Sequence, residues 1–363
     1  MTSHPDRDHG AEARRAVEAG LASRVFPGAA AEAGSSGGVC WRHAVGRLTY
    51  DEDAAKVSAA TIFDLASLTK VIATTTIAMR LVARGLLDLE RSVRDYVPGW
   101  DAGERRAVRV RDLLEHSSGL PVWAPLFESC DGREAFARAI AALPLQHAPR
   151  SASLYSDLGF IILGFIVEDL GGAPLDEQLD PVAAELGLSG DDVLLYAPPR
   201  TWRSRIAPTR VDAWRDRLLV GEVDDANAAA LGGVAAHAGL FGTAAAVGAF
   251  AQRILRALGS PGDAPALVEP AVLWRFLAKS AVPGSSRALG WDTMLPTSSC
   301  GTRMSPSAFG HTGYSGTSLW IDPARDLYTV LLTNRVYPAG GPGDGIRDVR
   351  RAFNDAVVAG LAP

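Results

Sequence analysis

The predicted secondary structure changes from strands to helices at residues 63–85, which read FDLASLTKVIATTTIAMRLVARG. Residues 63–65 lead into a long helical pattern over residues 67–84, and Gly85 is placed to end that helix as its C-cap. Short strand patterns separated by glycine-containing turns come before this stretch, and mostly helical patterns follow it. It therefore marks the border between a strand-forming start of the chain and a helical middle.

Strand patterns return near the other end of the chain. The predicted strands cover residues 29–33, 39–44, 47–50, 288–294, 308–312, 317–322 and 328–334, and a last helix covers residues 345–361. Strands on both sides of a helical insertion favour one sheet built from both ends of the chain. The predicted class is α/β (α+β), with a sheet domain of residues 25–85 and 285–363, an inserted, mostly helical domain of residues 86–284, and an N-terminal arm of residues 1–24.

The composition is that of a globular protein. The chain has 363 residues, 47% of them hydrophobic and 21% charged, a length typical of about two domains. The net charge of −5 argues against a broadly basic nucleic-acid-binding protein. The longest apolar stretch, residues 158–167, is too short to span a membrane, and the first residues lack the apolar core of a signal peptide. We therefore expect a cytoplasmic protein with no nucleic-acid partner and no membrane span.

Motifs for the common cofactors and metals are missing from the sequence. It contains no Walker loop, no HExxH, no helix-opening GxGxxG and no EF-hand loop. The three cysteines are far apart, and the seven histidines show no ligand spacing on a helix. We expect no cofactor and no metal.

A GxSxG match at residues 34–38 is interpreted as a hairpin turn. A nucleophilic serine in this motif needs a strand before it and a helix after it. Here a strand pattern at residues 39–44 follows instead. The motif is therefore not counted among the candidate active-site residues.

Ser67-Leu68-Thr69-Lys70 is a stronger candidate. Residues three apart share one face of a helix, so the Ser67 hydroxyl and the Lys70 ammonium can approach each other. A serine hydroxyl becomes a nucleophile when a base takes its proton, and a desolvated lysine with a lowered pKa can be that base or tune another one. Only three of the 36 basic residues are lysines, and arginine cannot release its proton near neutral pH. The alternative is that Ser67 caps the helix and Lys70 lies in solvent.

Two further segments have the residue types of an active site. In Tyr155-Ser156-Asp157, a phenol held near an ammonium has a lowered pKa and can move protons. Alternatively, Tyr155 is a core residue and Ser156 or Asp157 caps the following helix. Residues 310–316 read GHTGYSG and fall at a predicted strand, where glycine often marks the close approach of a ligand. Here the alternative is a bulged or edge strand.

Taken in order, these three segments resemble the motifs of the serine β-lactamase and penicillin-binding protein family. Its members carry SxxK, then Tyr-x-Asn, then Lys-Thr-Gly or His-Thr-Gly. The similarity is to the class C branch, which includes D,D-peptidases, D-aminopeptidases and family VIII esterases, and it covers about residues 25–355. It implies an antiparallel sheet flanked by helices, a helical domain, and an active site at the junction of the two.

The resemblance also implies a role for each matching residue. Ser67 would be the acylated nucleophile, and Lys70 and Tyr155 would share the acid and base work. The backbone N–H groups of Ser67 and Tyr314 would form the oxyanion hole. His311, Thr312 and Gly313 would line the opposite wall, and these three residues and Asp157 would bind substrate.

Two positions depart from the family pattern. Asp157 stands where β-lactamases and many peptidases have asparagine, and an ionised carboxylate cannot donate to a substrate carbonyl. His311 stands where β-lactamases usually have lysine, and a neutral imidazole attracts a substrate carboxylate less well. Trp123 and His237 are considered possible walls of the site, with a structural role as the alternative, and His116 is interpreted as structural.

The sequence thus predicts a cofactor-independent serine hydrolase that works through an acyl-enzyme on Ser67. Both departures and the expected location favour an esterase or amidase with a small ester, amide or peptide as substrate. The alternatives within the class are a D,D-peptidase or D-aminopeptidase, which the His-Thr-Gly segment favours, and a β-lactamase-type activity. A non-catalytic penicillin-binding or sensor protein is the alternative from another class.

Overall fold

Strands from both ends of the chain meet in one sheet. In the computed structural model, which describes residues 10–259, 267–338 and 345–361, the strands are β1 (Gly28–Ser35), β2 (Gly38–Gly46), β3 (Phe63–Asp64), β4 (Leu194–Tyr196), β5 (Val211–Asp212), β6 (Arg217–Leu218), β7 (Leu240–Gly242), β8 (Asp292–Thr293), β9 (Phe309–Thr312), β10 (Ser318–Asp322) and β11 (Leu327–Thr333). Six of them form an antiparallel sheet in the order β2-β1-β11-β10-β9-β8. The antiparallel sheet built from both ends of the chain is confirmed. The hairpin between β1 and β2 also confirms the turn expected at residues 34–38.

Helices cover both faces of this sheet. They are α1 (Ala11–Ala22), α2 (Thr76–Ala83), α3 (Val110–Leu114), α4 (Gly132–Ala142), α5 (Asp157–Gly171), α6 (Leu175–Glu185), α7 (Ala226–Ala230), α8 (Ala244–Leu258), α9 (Pro270–Leu277) and α10 (Gly345–Leu361). Short 3₁₀ turns lie at Val93–Asp95, Gly103–Ala107, Leu126–Glu128, Arg200–Arg205 and Pro323–Arg325. The helix α8 packs against β1 and β11, whereas α1 and α10 pack against each other on the opposite face.

The alternation of β1 explains these two layers. Successive side chains of a strand point to opposite faces, so Ala30 joins the core that contains α8, whereas Ala31 joins the cluster on the other face. In that second cluster, Val17 of α1 and Phe353 of α10 are buried together. Residues 11–22 of the expected arm form a helix whose apolar side chains cover the sheet. Residues 1–9 of the expected arm lie outside the described residues, and the division of the chain into two domains remains a prediction.

The middle of the chain is mostly helical, as expected, but it also contributes strands to two small sheets. In one of them β4 and β7 from the middle pair with β3, in the order β3-β7-β4, and in the other β5 pairs with β6. The sequence pattern predicts no strand at β4 or β7, because three residues are too few to show an alternation. The strand expected at residues 288–294 shrinks to β8, since Gly290 has a φ of +84° and the Ala288 N–H donates to Trp291, closing a turn. The strand expected at residues 47–50 is reduced to one bridge between Arg47 and Lys56.

The helix predicted over residues 67–84 is present with an irregular first part. Lys70–Thr75 is π-helical, and α2 continues directly from it. All six π-helical residues are buried, and the Thr74 hydroxyl donates to the carbonyl of Ala236 at 2.7 Å. π-helical turns are rare in proteins, and many of those that occur lie at functional sites. This one begins at Lys70.

The helix α5 begins where Ser156 caps it. The Ser156 hydroxyl oxygen accepts a hydrogen bond from the N–H of Gly159 at 3.2 Å, and Gly172 ends the helix with a φ of +71°. Residues 158–167 are all buried, as expected for a helix that is apolar on every side. Because Ser156 is the cap, the side chain of Asp157 is free for another role.

None of the helices in the described ranges is by itself long and apolar enough to cross a membrane. The helices α5 and α6 reach that length and composition only as a pair, with a bend of 77° between them.

Candidate active site

A tight turn between β3 and the following helix presents Ser67. Ala66 has a φ of +47°, in the left-handed region that residues other than glycine seldom adopt. The Asp64 carboxylate holds this turn by accepting the N–H of Ala66 at 2.8 Å. Ser67 comes next and stays partly exposed, although its neighbours on both sides are buried. The turn therefore leaves the Ser67 hydroxyl accessible at the edge of the core.

Lys70 is fully buried one helical turn after Ser67. Its Nζ donates hydrogen bonds to Ser67 Oγ at 3.0 Å and to the carbonyl of His237 at 2.9 Å. It also forms an ion pair with Asp157 Oδ1 at 2.7 Å. Two of its three N–H donors thus have hydrogen-bond acceptors, and the carboxylate supplies the counter-charge. The alternative of a solvated Lys70 is thereby wrong.

Tyr155 reaches the same hydroxyl from the segment before α5. Its OH donates to Ser67 Oγ at 2.9 Å. The Tyr155 ring lies 4.5 Å from the ring of His116, whose Nδ1 accepts the N–H of Ser156 at 3.0 Å. His116 is only 1% exposed, so it supports the segment that carries Tyr155, in agreement with the structural role expected for it.

Asp157 faces the site and does not cap α5. Its N–H donates to the carbonyl of Val122 at 2.9 Å, while its carboxylate contacts Lys70. The Asp157 side chain is 18% exposed, and the side chain of Lys70 is completely covered. The carboxylate therefore lies at the border of the site, where it holds Lys70 and also carries a negative charge toward any ligand.

The charges of this cluster fix its resting protonation. Burial acts to lower the pKa of Lys70, but the contacts with Asp157 and Tyr155 outweigh it, so the pKa lies above its ordinary value. Burial also raises the pKa of Tyr155, and the nearby ammonium opposes this only in part. The resting site thus holds an ammonium and a neutral phenol, whereas lowered pKa values were expected for both groups. The reason is the Asp157 carboxylate, whose direction the sequence did not reveal.

A turn after β9 lies directly against the Ser67 turn. The hydroxyl of Ser315 donates to the carbonyl of Asp64 at 2.8 Å, and that of Thr317 donates to the carbonyl of Leu65 at 3.0 Å. A Cβ on Gly313 would lie 2.8 Å from the Leu65 carbonyl oxygen. Only glycine therefore permits this close approach of the two backbones.

Two unpaired N–H groups lie on these adjoining turns. Neither the N–H of Ser67 nor that of Tyr314 donates a hydrogen bond to another group in the described part of the chain. The side chain of Tyr314 is 61% exposed, so this turn also borders solvent. Backbone donors that are left open beside a nucleophile are the groups from which an oxyanion hole is built.

His311 faces the site from β9 as a neutral imidazole. Its ring lies 5.9 Å from the Tyr155 ring, and its Nδ1 lies 2.9 Å from the carbonyl oxygen of Thr312. Because a carbonyl only accepts, Nδ1 carries the proton and Nε2 does not. Burial, together with the charges of Arg287 and Lys70, lowers the pKa of His311 well below its ordinary value. His311 therefore supplies no positive charge at neutral pH.

The two possible wall residues lie in different surroundings. Trp123 is 44% exposed and follows Val122, whose carbonyl accepts the N–H of Asp157. His237 is buried, with its Nε2 2.9 Å from Asp225 Oδ1. Its backbone carbonyl, not its ring, contacts Lys70.

Arg287 also lies at the site, and sequence analysis did not single it out. Its guanidinium carbon is 5.2 Å from the centroid of the Tyr155 ring. Its ion-pair partner Asp292 is 4.0 Å away, and no acceptor in the described residues forms a hydrogen bond with the guanidinium. The chain contains 33 arginines, so the sequence gives no reason to choose this one as a site residue.

Within residues 10–259, 267–338 and 345–361, no three or more His, Cys, Asp or Glu side chains are grouped so that they could hold a metal ion. His4 and His9 lie outside these ranges.

The chain is similar to known proteins over most of its length. Residues 13–352 match the family model described as Beta-lactamase. The chain is 30% identical over 328 residues to a putative D-alanyl-D-alanine carboxypeptidase of Escherichia coli (strain K12), with 80% of this chain and 73% of that protein covered. It is 33% identical over 309 residues to the N-acetylmuramyl-L-alanine amidase of Bacillus subtilis (strain 168), with 77% and 69% covered. A solved penicillin-binding protein homolog from Caulobacter crescentus superimposes with a TM-score of 0.75 at 22% identity, covering 99% of both chains.

Proposed function

The chain belongs to the beta-lactamase family and is a serine hydrolase, and we propose that it cleaves small esters or amides through an acyl-enzyme formed on Ser67. The observation that carries this proposal is the position of Ser67 Oγ, 2.9 Å from the Tyr155 hydroxyl and 3.0 Å from Lys70 Nζ. A hydroxyl between a phenol and an amine has partners for the proton that it must lose and for the proton that the leaving group must gain.

Acylation begins when Lys70 is neutral, because only then can it accept the Ser67 proton. The Ser67 oxygen bonds to the substrate carbonyl carbon, and the resulting oxyanion is held by the N–H groups of Ser67 and Tyr314. The bond to the leaving group then breaks, and the leaving atom takes a proton through Tyr155. Water repeats these steps on the acyl-enzyme and releases the acid. Asp157 raises the protonated fraction of Lys70, so acylation is expected to speed up as the pH rises.

Two features favour esters and simple amides over an efficient β-lactamase activity. The ionised Asp157 cannot donate a hydrogen bond to the acyl carbonyl of a penicillin. His311 is neutral, so it does not supply the cation that a lysine at this position of β9 would offer to the carboxylate of a penicillin. An uncharged ester meets neither obstacle.

Aromatic side chains that begin on the loop in contact with Asp157 support an apolar acyl group. The rings of Trp123 and Phe127 are 6.3 Å apart, and those of Phe127 and Trp214 are 5.0 Å apart. Trp214 is 48% exposed and Trp123 is 44% exposed. Large exposed rings can cover an apolar group of a substrate, so Trp123 is kept as a proposed wall of the acyl site.

A carboxypeptidase-type activity is the second candidate, and Arg287 is the observation that favours it. A guanidinium that lacks a hydrogen-bonded acceptor and lies over the Tyr155 ring can bind a carboxylate on the leaving group, because Tyr155 is the proposed donor to that group. The relatives named as a carboxypeptidase and as an amidase fit such a substrate.

Arg287→Gln separates the two candidates. For 3-carboxyphenyl acetate, we expect this variant to lower kcat/KM by about tenfold or more, which is the usual effect of losing a hydrogen bond to a charged group. For phenyl acetate, which lacks the carboxylate, kcat/KM is expected to stay unchanged. Equal losses with both esters, measured by release of the phenols, would show that Arg287 supports Tyr155 and does not bind substrate.

Mass spectrometry of the intact protein tests the acyl-enzyme itself. After mixing with p-nitrophenyl butyrate, we expect a butyryl adduct or turnover of the ester in the wild-type protein and neither in Ser67→Ala, beyond the background hydrolysis. A stable adduct with a penicillin and no turnover of the ester would favour a penicillin-binding receptor. Ester turnover that persists in Ser67→Ala would contradict the proposal.

A cytoplasmic location, expected from the sequence, is part of this proposal. Recovery of the protein in the exported fraction of its cells would contradict that part alone.

A further inference from the structure

Arg350 lies behind the turn that carries Tyr314. It belongs to α10 and is 7% exposed. Its guanidinium donates to the carbonyls of Gly313 and Thr317, at 2.8 Å each, and to that of Gly316 at 3.3 Å. In the described ranges it has no carboxylate partner. Burial of a cation without a counter-charge is costly, so the carbonyls of this turn are its whole compensation.

The other carbonyls of the turn are occupied as well. Arg335 donates through Nε to the carbonyl of Tyr314 at 2.9 Å and through its backbone N–H to that of Ser315 at 3.0 Å. The hydroxyl of Thr333 also donates to the carbonyl of Ser315, at 3.1 Å. Every carbonyl oxygen of residues 313–317 thus accepts a hydrogen bond. The peptide planes of the turn are fixed, while the N–H of Tyr314 is left open.

One of the Arg350 contacts bears directly on that open N–H. The carbonyl of Gly313 and the N–H of Tyr314 belong to the same planar peptide and point in opposite directions. A cation at the Gly313 oxygen therefore fixes the direction of the Tyr314 N–H. It also draws electron density toward the oxygen, which makes the N–H a stronger donor.

We propose that Arg350 is a positioning residue for the reaction, which aims and polarises the peptide whose N–H, that of Tyr314, stabilises the oxyanion. This inference rests on the proposed function, in which that N–H is half of the oxyanion hole. Arg350 itself touches neither the substrate nor the reacting atoms. It acts from behind the turn, through the Gly313 carbonyl.

Arg350→Met tests this role through properties that belong to the transition state. We expect kcat for p-nitrophenyl butyrate to fall by about tenfold, because a small misplacement of one donor weakens oxyanion binding, while KM stays near the wild-type value. Butylboronic acid forms a tetrahedral adduct with a serine and places an oxygen where the oxyanion forms. Its affinity is expected to fall by the same factor as kcat. Arg350→Lys keeps a cation but lacks the planar fork of donors, so both quantities are expected to be intermediate.

The neighbouring Arg351 provides a matched control. It is on the same helix and also donates to backbone carbonyls, those of Pro296 and Ser298 at 3.3 and 2.8 Å, which lie outside the turn. Arg351→Met removes a similar anchor. It is expected to lower Tm without changing kcat or the affinity for butylboronic acid.

The possible outcomes separate this inference from the proposed function. If the wild-type protein forms no Ser67 adduct and no turnover, the proposed function is wrong. If that adduct forms, and Arg350→Met lowers only Tm as Arg351→Met does, Arg350 is a structural anchor and the inference is wrong. Should Arg350→Met fail to fold, Arg350→Lys decides the matter. A lower kcat and a matching loss of boronic acid affinity at constant KM would support the inference, and wild-type values of both would overturn it.

Discussion

Replacement of Lys70 by arginine is expected to lower kcat/KM for p-nitrophenyl butyrate by about 10³-fold or more, a loss within the range known for removal of a general base. The positive charge stays in the site, so a purely electrostatic role of Lys70 would be kept. Arginine cannot give up its proton in a protein, so Ser67 would have no base. The measurement is the release of p-nitrophenol, together with the amount of acyl adduct by mass spectrometry.

The other two lysines of the chain are matched controls for this variant. Lys56 and Lys279 are exposed, so Lys56→Arg and Lys279→Arg are expected to leave kcat/KM unchanged. Lys70→Arg also places a larger side chain in a fully buried position, and Tm reports whether the fold survives. If the folded Lys70→Arg variant keeps near-normal turnover, Lys70 is not the base.

Asp157→Asn is expected to shift the rise of kcat/KM with pH, which follows the deprotonation of Lys70, to lower pH by about 1–3 units. A shift of this size is the usual effect of an opposite charge in contact. With Asp157 present, the pKa of Lys70 lies above its ordinary value, so the neutral amine becomes abundant only at high pH. Without the carboxylate, burial is left as the main influence and lowers the pKa of Lys70. A plot of log kcat/KM against pH would then reach its plateau at a lower pH than in the wild-type protein. Measurements from pH 6 to 11 would show this.

The direction of this shift is the critical result. If kcat/KM rises at the same pH in the variant, the ion pair between Asp157 and Lys70 does not determine the pKa of the base. A shift of this rise to higher pH would contradict the prediction. Asp169→Asn, at the other end of α5, is the control, because its carboxylate pairs with Arg133 and is 56% exposed. Asp157→Asn is also expected to speed acylation by penicillins, since an amide can donate to their acyl carbonyl.

The sequence was sufficient to predict one sheet built from both ends of the chain and the first pair of site residues, but not the order of the strands in that sheet. Strand patterns at both ends predicted a sheet closed by distant segments, and the spacing of Ser67 and Lys70 predicted their contact on one helix face. Tyr155 and His311 were candidates from their residue types, but only the family resemblance placed them in one site with Ser67. They lie 88 and 244 positions after Ser67 along the chain, and no local pattern connects positions so far apart. The structure brings Tyr155 into contact with Ser67, with His311 beside it.

Other features depend on side-chain directions that a sequence does not contain. Either Ser156 or Asp157 could have capped α5, and only the observed cap at Ser156 shows that Asp157 is free to contact Lys70. The expected lowering of the Lys70 pKa was wrong for that reason. Arg287 and Arg350 were missed because arginine is the ordinary cation of this chain, so its type gives no hint of a special place.

The pairing of β1 with β11 also determines when the protein can assemble during its synthesis. Ala31 lies opposite Leu331, so two neighbouring strands are 300 positions apart along the chain. Contacts of such high sequence separation form slowly, because a long loop must be closed before they stabilise anything. The central sheet can be completed only after β11 has been synthesised, and the turn that carries Tyr314 can reach Ser67 only after that turn has been made. A nascent chain therefore carries Ser67, its proposed nucleophile, without the Tyr314 half of the proposed oxyanion hole until that turn has been synthesised.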